Sequence, residues 1–387
     1  MGFEFSTKAG YQKYFSKAHD LFRSSVRDFV KKEIIPHVEQ WEEDGGFPVE
    51  LYQKAGEIGI LGVGLPEEYG GTPGDIFFPI TCIEEIARSG SIGMVAGLSI
   101  HVLGLNPIIN LGTPEQKKRF ITPVLSGDRM AGLAITEPGG GSDVAGLTTT
   151  AVRQGDHYII NGAKTFITAG TRAGQITCAV RTGGKGTSGI SLVVIESDSP
   201  GYSVSDKLKK MGWLTSDTAE IYFDNCRVPV ENLLGEENKG FYGIMENFQY
   251  ERLQLAVMAN MCAKLALEES IRYSKERKAF GKTLAGFQVT RHKLVDMAML
   301  VDVSREYTYR IAAKIDAGEN MVKEISMAKN FACSVSDRVT NDAVQIFGGY
   351  GYMRGYMVER LYRDNRILSI GGGTSEIMKE IISKYIF

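Results

Sequence analysis

LQLAVMANMCAKLALEESIRY, residues 253–273, is rich in strong helix formers and sets apolar residues at three- and four-residue intervals, so it reads as a long helix. No proline follows Pro229 in the 387-residue chain, where average usage of about 5% predicts about eight. Interior proline removes a helix hydrogen bond and clashes with the preceding turn, so its absence favours long uninterrupted helices. Residues 288–315, 321–346 and 374–386 carry the same spacing, which predicts a C-terminal bundle of about four helices. Upstream the period changes. Residues 148–153 and 157–160 flank the turn Gln154-Gly155-Asp156, and Asn161-Gly162 reads as a second tight turn before residues 164–168. The runs 176–181, 190–196 and 220–223 are further β-rich stretches, and residues 15–125 return to helical spacing. The expected fold class is α+β: an N-terminal helical domain (1–130), a middle antiparallel β domain (131–235) and a C-terminal four-helix bundle (236–387).

Composition narrows the chemistry. A formal charge of −2 and a pI near 6.3 offer no global field for nucleic acid, so a phosphate-bearing ligand must be held by local groups. Five scattered cysteines without CxxC spacing, and five histidines without HxxxH or HxH pairs, argue against a disulfide framework and a metal centre. The N-terminus has neither a secretory pattern nor an Arg-rich presequence, so the expected location is the cytoplasm, or the mitochondrial matrix for a processed chain. Residues 89–114 carry no charge but include His101, Asn106, Pro107 and Asn110; this is too polar for a membrane span and reads as a buried helix pair.

Four stretches carry candidate chemistry. In Thr136-Glu137-Pro138-Gly139-Gly140-Gly141-Ser142-Asp143 the glycines let backbone approach a bulky ligand with amide N–H groups facing it, although alone such a run is more often a mobile loop. Phe166 and Thr168, two residues apart on a strand, put an aromatic face and a hydroxyl on one side. Arg277 and Phe280, three apart near the end of the long helix, share a face suited to pyrophosphate and a planar ring, though Glu-Arg-Lys is usually a solvated surface. Gln345-Ile346-Phe347-Gly348-Gly349-Tyr350-Gly351 is no dinucleotide fingerprint, since no strand precedes it and its spacing is GGxGxxxG.

Together, in this order, these motifs resemble the acyl-CoA dehydrogenases from end to end. The resemblance implies FAD. Leu133, Ile135 and Thr136 would contact the flavin, Phe166 would lie against the isoalloxazine where relatives often have Trp, and Thr168 would sit near flavin N5. It also assigns Thr374 and Glu376 to the cofactor, and Arg277, Phe280, Gln288, Gln345 and Gly349 to the FAD of a neighbouring copy in a homotetramer built as a dimer of dimers. Ala279 replaces a Thr common in relatives. Ser142 would contact the pantetheine arm of the acyl-CoA substrate, and electrons would pass to an electron-transferring flavoprotein.

Removing a weakly acidic α-proton needs a positioned carboxylate. Many relatives carry it two residues before the Thr of the C-terminal turn, which here is Gly372 in Ile370-Gly371-Gly372-Gly373-Thr374. Long-chain and isovaleryl-CoA dehydrogenases instead resemble this chain in a Glu-Arg-Leu run on the long helix, which transfers the role to Glu251 and a substrate contact to Arg252. On its own, a Glu beside an Arg near a helix start is usually exposed and favourable with the helix dipole. Burial would raise the Glu251 pKa. Gly371 and Gly372 leave room beside the reacting carbons, and Ser99 stands where some medium-chain members have Glu, so branched or medium-to-long acyl chains are expected. The alternatives are a same-fold monooxygenase or desulfinase needing no α-proton base, or a non-catalytic acyl-CoA-binding protein.

Overall fold

A computed structural model describes residues 13–387. The N-terminal helices are α1 (Lys17–Phe29), α2 (Val38–Asp44), α3 (Val49–Glu57), α4 (Phe77–Ala87), α5 (Ile92–Leu111), α6 (Pro114–Phe120) and α7 (Thr122–Leu125). Residues 89–114 thus hold one 20-residue helix followed by the start of α6, not the expected pair; Pro107 sits inside α5 and does not divide it. By length and composition α5 could cross a membrane, but most of it is buried in this fold because it packs between the sheet and the long C-terminal helix.

The sheet follows: β1 (Met130–Ala134), β2 (Thr150–Gln154), β3 (His157–Thr168), β4 (Ala173–Arg181), β5 (Ile190–Glu196), β6 (Tyr202–Val204), β7 (Thr218–Pro229) and β8 (Leu233–Leu234). The order is β6-β7-β3-β2-β4-β5-β8, mainly antiparallel, with β1 joining β4 in parallel. Asn161-Gly162 is not a turn. It lies within the continuous strand β3, where the register against β7 shifts between Ile160 and Gly162. Gly162 has φ 145°, and a Cβ there would come within 2.6 Å of the Thr149 hydroxyl, so the glycine serves a bulge and a close approach.

The C-terminal part comprises α8 (Gly240–Glu276), α9 (Gln288–Asp316), α10 (Val322–Phe347), the short α11 (Gly349–Tyr352), α12 (Met357–Asn365) and α13 (Ser375–Ser383). Helix α8 has 37 residues, about 55 Å at 1.5 Å per residue. From Arg252 to Leu267 every residue is buried, because α10, α9, α4 and α5 cover it on all sides. Two sequence expectations change here. Glu251 lies about three turns inside α8 rather than near its start, so the helix dipole has no hold on it. Arg277 and Phe280 do not share a helix face: α8 ends at Glu276, and Lys278–Ala279 pairs with Lys282–Thr283 in a two-stranded ribbon. Phe280 (φ 49°) and Gly281 (φ 77°) form its turn, the double positive φ that a tight hairpin demands.

Candidate active site

Glu251 is half-buried on α8, beside the glycine turn that connects α12 to α13. A Cβ built on Gly372 would lie 3.5 Å from the Glu251 carboxyl carbon and Oε1, and 2.5 Å from Leu255 Cδ1. Gly372 has φ 63°, a backbone that side-chain-bearing residues rarely adopt. Position 372 therefore has no room for a carboxylate, and the Glu251 carboxyl stands beside it. Burial pushes the Glu251 pKa up to about 7, against the downward pull of Arg252 and Lys329.

The turn is held through its carbonyls. Arg252 Nε donates to Gly372 O at 3.3 Å, and Lys329 Nζ donates to Gly371 O at 2.9 Å and to Gly373 O at 2.6 Å. Lys329 is fully buried on α10, and burial lowers its pKa. Sequence reasoning missed it, yet a signal was present: Lys329 shares the helical stripe of Ile325, Ala328, Ala332 and Cys333, an apolar face on which an unpaired ammonium would be costly. Thr374 caps α13 by accepting from Ile377 N at 3.3 Å. Glu376 is exposed in the first turn, where backbone N–H and the Thr374 hydroxyl hold its carboxyl below the usual range. That environment keeps Glu376 ionised and solvated.

A second group gathers where β1 meets β3. Leu133 is half-buried on β1, Ile135 is buried, and Thr136 O accepts from Thr165 N at 2.9 Å. Phe166 is 67% exposed with φ 60°, while its neighbour Ile167 is 2% exposed in the core and Thr168 is half-buried. An exposed ring on a strained backbone marks a surface kept for something else. The loop before it is pinned by a residue the sequence reading passed over. Glu137 accepts from Lys164 Nζ (2.8 Å), Thr148 N and Oγ1 (both 2.6 Å) and Thr149 N (2.9 Å). Burial opposes ionisation, but the Lys164 ammonium and these donors win and hold the Glu137 pKa at about 2. A buried carboxylate so fully occupied is structural. Its role is to fix the exposed Pro138-Gly139-Gly140-Gly141-Ser142 loop, where a Cβ on Gly139 or Gly140 would meet open space.

A third group lies past the end of α8. Arg277 and Gly349 line a cleft of about 520 Å³ with Tyr273, Phe347 and Tyr350, and the Arg277 guanidinium sits 5.6 Å from the Tyr350 ring centre. Phe280 (95% exposed), Gln288 and Gln345 are open to solvent on this one chain. Ser99, half-buried on α5, donates to Val95 O on its own helix.

The acyl-CoA dehydrogenase N-terminal, middle and C-terminal domain families match residues 16–128, 132–226 and 238–387. The chain belongs to the acyl-CoA dehydrogenase family. It is 42% identical to an acyl-CoA dehydrogenase of Bacillus subtilis, over 95% of this chain and 97% of that one. It is 40% identical to the mouse mitochondrial long-chain specific acyl-CoA dehydrogenase, over 98% and 89%. It is 39% identical to subunit CarC of the caffeyl-CoA reductase-Etf complex of Acetobacterium woodii, over 96% and 98%. Among solved structures, a probable acyl-CoA dehydrogenase from Mycobacterium abscessus superposes with a TM-score of 0.95 at 48% identity, covering 97% and 100%. An acyl-CoA dehydrogenase from Bacillus anthracis complexed with FAD gives 0.91 at 33% identity, covering 97% of this chain and 67% of that one.

Acyl-CoA dehydrogenases are FAD-dependent oxidoreductases, and the residues present here fit the cofactor. The exposed Phe166 ring offers a planar surface, and the open glycine loop beside Thr136 leaves space for a bulky ligand. The Thr136 and Thr168 hydroxyls donate to no protein group among the described residues. The Arg277 guanidinium, exposed and without an acidic partner among the described residues, suits a pyrophosphate.

Proposed function

We propose that this flavoenzyme dehydrogenates an acyl-CoA thioester to the trans-2-enoyl-CoA, with Glu251 as the base. The observation that carries this reading is the Glu251 carboxyl, desolvated to a pKa of about 7 and set against Gly372. A base is most effective with a pKa near the working pH, where it is both ionised and basic enough to take a weakly acidic proton. Bound FAD supplies the acceptor for the β-hydride. The chain does the rest: Glu251 takes the α-proton, Phe166 and Thr168 orient the flavin, Ser142 meets the pantetheine arm, and Arg252 holds the turn beside the reacting carbons. A monooxygenase, desulfinase or binding protein needs no α-proton base, so a carboxyl raised to a pKa of about 7 at this place favours the dehydrogenase reading.

The open side of Gly371, where a Cβ would meet only Ile367 O at 3.6 Å, and a small Ser99 on α5 support branched or medium-to-long acyl chains; at Gly372 the expected room is taken by Leu255 and Glu251. Exposed Arg277, Phe280, Gln288, Gln345 and Gly349 support a homotetramer in which each copy completes its neighbour's FAD site. An electron-transferring flavoprotein is the proposed acceptor, as the name of the Acetobacterium relative suggests for that protein. Five free cysteines, all buried, support a reducing setting such as the cytoplasm. The same relative's name favours a second reading, enoyl-CoA reduction: with a pKa near neutrality Glu251 is also available protonated, able to return the α-proton.

The test is anaerobic addition of acyl-CoA thioesters, isobutyryl to palmitoyl. Oxidised flavin should bleach with the wild type and with Glu376→Gln, and remain unbleached with Glu251→Gln that still holds FAD. Bleaching by Glu251→Gln at the wild-type rate would overturn the assignment. Faster turnover of enoyl-CoA with reduced flavin than of acyl-CoA with oxidised flavin would favour the reductase.

A further inference from the structure

The carbonyls of Gly371, Gly372 and Gly373 are all engaged by side chains from two different helices, the outer two by Lys329 of α10 and the middle one by Arg252 of α8. The N–H groups that share peptide planes with those carbonyls belong to Gly372, Gly373 and Thr374. None of the three donates to a backbone or side-chain acceptor among the described residues. Every peptide bond described is trans, so each N–H points opposite to its carbonyl. Drawing the Gly371 and Gly373 oxygens toward Lys329 therefore turns the Gly372 and Thr374 N–H groups away from it. Successive free N–H groups on a turn with positive φ at Gly372 (63°) and Gly373 (97°) form a concave donor surface for an electron-rich oxygen.

We infer that Lys329 is a positioning residue for the reaction: by fixing the Gly371 and Gly373 carbonyls it aims the free backbone N–H groups of the glycine turn at the thioester oxygen of the substrate. The inference rests on the acyl-CoA reading above and names a residue to which that reading gives no role. Donors aligned in advance stabilise the oxygen as it gains charge during α-proton removal, with no reorganisation at the moment of reaction. The ammonium has three N–H bonds. Two go to the turn and the side chain is otherwise enclosed, so it acts through the backbone and stays clear of the substrate. Its burial on an apolar helix stripe makes sense only with such acceptors, since an unpaired buried ammonium is strongly unfavourable.

The experiment uses FAD-loaded protein and two unreactive ligands of matched chain: the enoyl-CoA thioester and the S-alkyl-CoA thioether, which lacks the carbonyl. The wild type should prefer the thioester. Lys329→Met should lose about tenfold of that preference, the worth of one aimed hydrogen bond, while binding the thioether as before. Lys329→Arg, which keeps charge and donors, should retain more of the preference than Met. Equal preference in wild type and Lys329→Met, both folded and holding FAD, overturns the inference. Should Lys329→Met fail to fold, amide exchange on the wild type decides: the thioester should slow exchange at Gly372 to Thr374 and the thioether should not, and equal slowing by both overturns it. Failure here leaves the Glu251 assignment standing, because that one is read from flavin bleaching and this one from ligand preference.

Discussion

Glu251 is an acid held above its ordinary pKa, and this has two consequences of opposite sign. Proton abstraction needs the ionised form, so flavin reduction should rise with pH through about 7 and level off above, as read by stopped-flow absorbance. Stability moves the other way. With the folded pKa raised above the unfolded one, the folded state holds its proton more tightly; the group costs nothing below the unfolded value, and its cost grows until pH passes about 7. Glu251→Gln should therefore raise the melting temperature of the unliganded protein at pH 8, by on the order of 1–3 kcal/mol in free energy, with no gain at pH 4. The adjacent glycine gives a steric prediction. Gly372→Ala adds a Cβ 2.5 Å from Leu255 Cδ1 at φ 63°, so flavin reduction should fall by about tenfold or more, and Leu255→Ala in the same chain should restore part of it. That Glu251 was the carboxylate to watch came from the family resemblance, once Gly372 was read where many relatives carry their base. That Leu255 fills the vacated space could not be read from the sequence, because it depends on how α8 lies against the turn.

At the scale of elements, the long helices were legible because their stripes repeat over many turns; β3 was not, because Asn-Gly is a turn signal in isolation and only pairing with β7 converts it to a bulge. The end of α8 was likewise obscured, since neither Gly nor Pro follows Glu276 and the Phe280-Gly281 turn that diverts the chain comes four residues later. The Glu137–Lys164 pair joins the loop after β1 to β3, and neither partner announced itself, Glu137 in a motif read for its glycines and Lys164 in a run read only as a strand. Both side chains are buried, so removing one charge strands the other. Glu137→Gln should cost about 3–5 kcal/mol in urea unfolding at pH 7 and loosen FAD retention. Because this carboxyl is held near 2, its contribution is present above the unfolded pKa and is lost as pH falls toward 2.

For the whole molecule, the residues expected at the cofactor divide into those where β1 meets β3, those at the turn before α13, and those exposed around the Arg277 cleft. If each FAD is shared between copies, a Phe166→Asp chain and an Arg277→Glu chain should each fail to retain FAD alone. Mixed pairs should regain one intact site, measurable as bound flavin per chain after co-expression. Sequence reasoning reached this division only through the family resemblance, since exposure on a single chain says nothing of what covers it. The placement of the cysteines bears on how such variants can be judged. Cys82 lies among the N-terminal helices, Cys178 and Cys226 in the sheet, Cys262 and Cys333 in the bundle, all sealed from water with thiols pushed above their ordinary pKa by burial. Alkylating reagents can reach them only when the surrounding layer opens, so the native chain carries its own reporters of local breathing, one or two per layer, readable by mass spectrometry without any label being engineered in.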